Sequence, residues 1–378
     1  MPSSPTCSSR VFATAAARAR STSPRSHPRL CLLVVLAAFG LGAPACGPHR
    51  TGAAPADAVA TGSPELGTAG AGATAPPGST SGSGAASARP SATAAAASST
   101  AKGGSKDKIV FDESSPYGRV YVVDYPDRRC LQFSDGGEQS CMDLKDPPHV
   151  VHEYVRFMTV GLLFAKSGPR TLMVGLGGGS LVRTLLPHDP GMHLDVVELN
   201  PMVVDVAQKF FAIEPSDRLV IHVGDGREFI KKATTRWDLI LLDAYGDDYI
   251  PFPLTTVEFV RSVAERLEPD GAVVSNVWYR NDKIFRAMIR TFHEVFPNIY
   301  VFKGIKSVNG IVVATRVSPA PSCSAIKDKA RASAKTYGFN FDFTEAPGQC
   351  ATLSAYKLSD VPVIEDAKEE VFKSLGAL

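Results

Sequence analysis

The chain has 378 residues, with 40 Lys and Arg against 38 Asp and Glu, for a net charge of +2 and 21% charged residues. No long basic run stands out, which excludes the electrostatic footprint of a nucleic-acid binder. The length allows two or three domains, but composition removes much of the N-terminal part from any packed core. Residues 1–29 carry Arg10, Arg18, Arg20, Arg25 and Arg29 and no acid, and residues 30–45 form an apolar run too short to span a bilayer. That order is the pattern of a secretory signal.

The run closes on Ala43, Pro44, Ala45, Cys46 and Gly47. A cysteine directly after small residues resembles the lipobox of bacterial lipoproteins, which would make Cys46 the lipidated first residue of the processed protein. Cleavage after Ala45 that leaves a free thiol is the alternative. The expectation is an exported, membrane-anchored protein on the periplasmic or cell-surface side, touching the membrane only through its N-terminal lipid. Residues 47–105 are almost wholly Ala, Gly, Ser, Thr and Pro; such a stretch cannot repay the entropy of ordering and reads as a tether.

Cys7 and Cys31 fall in the signal, which leaves Cys130, Cys141, Cys323 and Cys350, an even number suited to an oxidising compartment. Cys130 and Cys141 flank the turn at 134–138 and would staple a hairpin, while Cys323 and Cys350 would pin the C-terminal segment. Four buried free thiols would accompany a failure of the export reading. The spacings are not those of a metal site and no close His accompanies them, so no metal is expected.

Residues 109–144 alternate like strands around Pro126 and Asp127 and predict a small antiparallel β-domain over 106–148. A proline-marked helix follows at 148–164, with Val151, Val155, Met158 and Leu162 at helical spacing. Strands at 172–174, 194–198, 219–222, 239–242 and 272–277 then alternate with helices at 181–186, 202–211, 227–232, 257–267 and 283–295. Strands at 299–303 and 311–314 close the series without a helix between them and must be antiparallel. The prediction is an α/β protein: a Rossmann-like doubly wound sheet of the class I methyltransferase type over 149–316, preceded by the small β-domain and followed by an extension over 317–378.

The most informative stretch is TLMVGLGGGSLVRTLLPHDPGMHLDVVELNP, residues 171–201. Gly175, Gly177, Gly178 and Gly179 stand between a buried strand and a helix, where backbone can approach a ligand and the helix start can face it. Glu198 follows about 20 residues later, at the end of the next strand, where a carboxylate can take both hydroxyls of a ribose. Glycines in such a turn can also serve helix packing alone. Asp225 and Asp243 end further strands on the same side of the sheet, where ligands of such folds bind.

From these residues the chain resembles the spermidine synthase family, the aminopropyltransferases, over about 109–316. The family's GGGDGG turn stands here as Gly175 to Ser180, its ribose acid as Glu198, its DG pair near adenine as Asp225 and Gly226, and its base as Asp243. The segment DAYGDDYIPFPLTTVEF looks like the divergent spermidine synthase-like members. The resemblance implies S-adenosylmethionine or its decarboxylated form as donor, a small-molecule amine or other acceptor, and acceptor contacts at Tyr117, His152 and Asp247. It also makes a homodimer a compatible assembly. The chain departs from the family where Gly178 replaces the turn's acid, Gly118 the glutamine after Tyr117, and Gly246 the second acid of the DxxD pair. The late tyrosine of YPSG has no counterpart in GIKSVNGIVV. Two further readings stay open: a methyltransferase on the same sheet, and an exported nucleoside-binding module without turnover.

Overall fold

Strands that alternate with helices must cross over a sheet, and the chain does this repeatedly after residue 170. The computed structural model describes residues 107–134, 137–246 and 250–376, which belong to one compact unit. Cys46, the signal and tether readings, and Asp247 lie outside the described residues. The front of the unit is an antiparallel sheet in the order β1-β2-β3-β4, made of β1 (Lys108–Ser115), β2 (Gly118–Asp124), β3 (Arg128–Gln132) and β4 (Glu138–Asp143). Cys130 and Cys141 are direct cross-strand partners in it, and their sulfurs lie 1.99 Å apart.

The helix expected over 148–164 is shorter and in two parts. Helix α1 spans Glu153–Met158, and the chain then tightens into a 3-10 turn over Thr159–Leu163. Gly161 explains the tightening, since a Cβ there would meet Val274 Cγ2 at 2.8 Å. The turn can lie this close to the sheet only without a side chain.

The main sheet follows through β5 (Arg170–Val174), α2 (Ser180–Leu185), β6 (His193–Glu198), α3 (Pro201–Phe210), β7 (Leu219–Val223), α4 (Gly226–Lys232) and β8 (Trp237–Leu242). It continues through α5 (Val257–Glu265), β9 (Leu267–Trp278), α6 (Asp282–His293), β10 (Asn298–Lys303) and β11 (Asn309–Thr315). Beyond it stand α7 (Cys323–Tyr337), α8 (Glu345–Gly348), β12 (Cys350–Thr352) and α9 (Glu369–Ser374). The strand order is β12-β10-β11-β9-β8-β5-β6-β7. Pairings among β7, β6, β5, β8 and β9 are parallel, whereas β11 is antiparallel to β9 and to β10. This is the predicted doubly wound sheet with its antiparallel closing pair.

Alternation along each buried strand divides the side chains between two cores. Met173, Leu239 and Leu241 join the core on one face, while Leu172, Val174, Ile240 and Leu242 join the other. Helix starts are set by capping residues at the carboxyl ends of the strands: Asn200 caps α3 ahead of Pro201, and Asp225 caps α4 through Glu228 N–H at 3.0 Å. The chain leaves β5 toward β6 on one side and later returns to β8 on the other. A crevice therefore opens at the carboxyl ends of β5 and β8.

Candidate nucleotide and transfer site

A cavity of about 560 Å³ occupies that crevice. Gly175 is the residue that brings its two sides together. Its φ is +94°, and a Cβ there would lie 2.5 Å from the carbonyl oxygen of Asp243, so only glycine allows the ends of β5 and β8 to come this close. Gly175 N–H donates to Val197 O, and Asp243 N–H to Val174 O, both at 2.9 Å.

Gly175, Leu176, Gly177 and Ser180 line the cavity, as do Glu198, Asp225, Gly226 and Asp243. Glu198 is nearly buried at 9% exposure, and it accepts Leu176 N–H at 2.8 Å and Asn200 N–H at 2.9 Å. Burial pushes its carboxyl up, and these backbone donors work against that. The acid therefore fixes the turn while it lines the cavity.

Gly178 and Gly179 stand differently from the expectation for the turn. Neither is among the described residues that line the cavity. A Cβ at Gly178 would meet Ser140 Oγ at 3.0 Å and the Phe211 ring at 3.1 Å, and one at Gly179 would meet Ile213 Cδ1 at 2.3 Å. Both positions serve packing of the turn against the front sheet and α3. Arg183 reinforces this packing, donating to the carbonyls of Gly178, Phe211 and Cys141. Ser180 Oγ also donates to Cys141 O at 3.1 Å, so β4 is bound to the start of α2.

Asp243 lies half-buried on the cavity wall. It accepts Asn276 Nδ2 at 2.9 Å, and Tyr154 lines the same cavity. Burial raises its pKa to about 7, and the Asn276 amide opposes the rise. Asn276 is itself oriented by Asn309 Nδ2 at 2.9 Å, and its backbone carbonyl accepts Tyr245 Oη at 2.9 Å. Tyr245 and Trp278 stack with centroids 5.1 Å apart, and both line the cavity.

Of the acceptor residues expected from the resemblance, His152 and Tyr117 line the same cavity. His152 Nε2 is buried without a partner among the described residues; burial lowers its pKa and the nearby Glu138 carboxylate opposes that. Tyr117 is 55% exposed, at the rim. Glu153 beside His152 has another task, accepting the backbone N–H of Lys306 at 2.9 Å and Ser307 at 2.7 Å. Burial pushes its carboxyl up, but those N–H groups outweigh it and hold the acid below its ordinary range. Tyr154, Asn276, Asn309, Tyr245 and Trp278 were not expected from the sequence. Asn276 and Trp278 end a strand on the ligand side of the sheet, the one signal that marks them.

A doubly wound sheet with a glycine turn, a fixed acid after its second strand and a perturbed carboxylate after its fourth defines a transferase of the class I methyltransferase fold. The family model described as the spermine/spermidine synthase domain matches residues 149–305. A polyamine aminopropyltransferase of Vibrio vulnificus is 34% identical over 234 residues, spanning 60% of this chain and 78% of that protein. The chain belongs to the spermidine synthase family, as a divergent member. Among solved structures, a probable spermidine synthase from Corynebacterium glutamicum shares the fold, with a TM-score of 0.55 at 20% identity over 68% of this chain and 97% of that one. An eEF1A lysine and N-terminal methyltransferase of Xenopus laevis is 28% identical over 192 residues, covering 46% of this chain and 28% of that protein.

Proposed function

We propose that the protein transfers an aminopropyl group from decarboxylated S-adenosylmethionine to a small-molecule amine. The observation that carries this is Asp243, a carboxylate with a pKa of about 7, set at the cavity wall beside the glycine turn. Glu198 and the backbone of the turn hold the ribose, and Asp225 accepts from the adenine amino group. The acceptor nitrogen attacks the aminopropyl carbon bonded to sulfur, and the carbon–sulfur bond breaks with its electron pair passing to sulfur. The sulfonium becomes the neutral thioether of methylthioadenosine, and the surplus proton on the new amine passes to Asp243. The carboxylate also attracts a cationic amine, while His152 and Tyr117 border the acceptor's approach.

A second reading, methyl transfer from intact S-adenosylmethionine, is favoured by Gly178, which leaves the turn without the family's acid for the donor's ammonium. A donor that ends in a carboxylate can instead be held by backbone N–H groups. Export with a lipid on Cys46 is part of the proposal.

Calorimetry and transfer assays with both donors test these readings together. Asp243→Asn is expected to leave methylthioadenosine affinity within a few fold while abolishing transfer. Glu198→Gln is expected to weaken nucleoside binding at least tenfold, because its amide would set an N–H against the N–H of Leu176 or Asn200 as well as lose the ribose. Binding of methylthioadenosine with no transfer from either donor would leave a nucleoside-binding module. Binding of neither donor would end the enzyme reading.

A further inference from the structure

Strand order divides the cavity wall into two halves. Glu198 and Asp225, assigned to the nucleoside, belong to the ends of β6 and β7 on one side of β5, whereas Asp243 follows β8 and Asn276 lies in β9 on the other. On that second side the parallel register sets Leu242 opposite Ser275, so Asp243 and Asn276 come next, joined at 2.9 Å. Two residues further along each segment stand Tyr245 and Trp278. Residues i and i+2 of extended chain share a face and lie about 7 Å apart, and both of these rings line the cavity. They stack on each other with centroids 5.1 Å apart and planes at 28°.

The pair is held by the fold itself. Tyr245 Oη donates to the Asn276 backbone carbonyl at 2.9 Å, which satisfies the hydroxyl and leaves the ring to the wall. Trp278 ends β9 and is paired in register with Asn309 of β11, whose amide donates to the Asn276 side chain. Beyond the pair, the guanidinium of Arg280, an exposed residue, lies over the Trp278 ring at 5.2 Å. Outward from the base the order is therefore a carboxylate, an uncharged aromatic wall and a cation.

Resting on the aminopropyl-transfer reading above, we infer that the acceptor is a primary monoamine with an uncharged aromatic tail, its ammonium beside Asp243 and its ring against Tyr245 and Trp278. A linear diamine needs an anion for its far ammonium. The wall instead presents rings, Gly246 stands where the family has its second acid, and Arg280 repels a second positive charge. Aromatic rings do attract cations, but Arg280 already supplies one to Trp278. A planar, uncharged tail gains from burial and from ring contact without giving up the hydration of a charge. A two-carbon spacer between nitrogen and ring suits the step of about 7 Å from Asp243 to the aromatic pair. In the transfer, the monoamine nitrogen forms the bond to the aminopropyl carbon, the electron pair of the broken carbon–sulfur bond goes to sulfur, and the surplus proton goes to Asp243. The products are methylthioadenosine and a secondary amine bearing the aminopropyl chain.

Calorimetry on the full chain saturated with methylthioadenosine, near pH 8 where Asp243 is ionised, reads acceptor binding without requiring turnover. Phenethylamine is expected to bind at least about fivefold more tightly than n-pentylamine, and putrescine more weakly than n-pentylamine, its isostere with one charge fewer. Trp278→Leu is expected to narrow the ratio between phenethylamine and n-pentylamine by about two- to tenfold. Arg280→Gln changes an exposed residue and covers the case in which Trp278→Leu does not fold; it is expected to raise putrescine affinity relative to n-pentylamine by about threefold at low salt. Putrescine bound as tightly as phenethylamine, no binding of any amine, or an unmoved ratio in folded Trp278→Leu overturns the inference. Transfer assays with the same amines, read as methylthioadenosine released, separate the two failures. The expected amine preference without transfer ends the transfer reading and leaves the binding site, whereas transfer that favours putrescine upholds that reading and overturns the inference.

Discussion

Asp243 has to be buried enough to be a useful base and bound enough to be an anion, and its pKa of about 7 reflects both. As a base it works only when deprotonated. The rate at low substrate is therefore expected to fall about tenfold per pH unit below about 7, which a pH series of kcat/KM measures. The same shift appears in stability. Because the folded pKa is raised above the ordinary 3.8, the folded state binds more protons, so this group's stabilising contribution is full below that value and is lost as pH rises through about 7. Asp243→Asn should accordingly raise the melting temperature more at pH 8 than at pH 5. Equal shifts at both pH values would show that the carboxyl titrates normally. Gly178 gives a different kind of prediction. Its Cβ direction, toward Ser140 and Phe211, means that restoring an acid there first meets packing. Gly178→Asp is therefore expected to lower the melting temperature, and a change of donor preference without that loss would show that the side chain reaches the cavity after all.

At the scale of elements, what could be read from the chain followed a physical rule. Strands β5 to β11 were legible because each is a short apolar run bounded by Gly, Pro or a capping residue, and the acids at their ends fall where such sheets bind ligands. Glu198, Asp225 and Asp243 reach one cavity for that reason. Tyr154, Asn276 and Asn309 were not legible. Asn276 meets Asp243 across the β8–β9 pair and Asn309 meets Asn276 across the β9–β11 pair, each contact linking residues 33 positions apart, and Tyr154 reaches the same cavity from α1, so none leaves a local pattern. β12 was missed as well. Its residues Cys350–Thr352 pair with Tyr300, Val301 and Phe302, a strand too short to show alternation. Cys350 at its start lies beside Cys323 at the start of α7, with Cα atoms 5.6 Å apart. A bond closing this 27-residue separation should contribute about 3 to 4 kcal/mol by restricting the unfolded chain. Denaturant unfolding with and without reductant measures it, and a non-reduced digest should show Cys130 joined to Cys141 and Cys323 to Cys350. Free thiols at all four positions would remove the pairing and much of the case for export.

At the scale of the whole molecule, the segments after β11 are part of the packed unit. Ile326 and Ala330 of α7 are buried in one core, and Val361, Ile364 and Phe372 in the other. Arg227 of α4 pairs with Asp366 at 2.8 Å, and Val257 N–H donates to Ile364 O at 2.8 Å. The C-terminal sixty residues therefore support α4 and α5, the helices that follow the carboxyl ends of β7 and β8, and removing them should cost the fold. The N-terminal hundred have the opposite composition, poor in large apolar residues from 47 to 105, so they offer a core almost nothing to bury. A chain beginning near Ser105 is expected to remain soluble and to melt within a few degrees of the chain that begins at Cys46, whereas a large drop would show that the tether contributes to the packed unit. Location should separate from folding in the same way. Cys46→Ser is expected to release the protein from membranes with its melting temperature and methylthioadenosine affinity unchanged, because the only membrane attachment proposed lies about sixty residues before the first strand. Membrane association that persists in Cys46→Ser would move the anchor to another part of the chain.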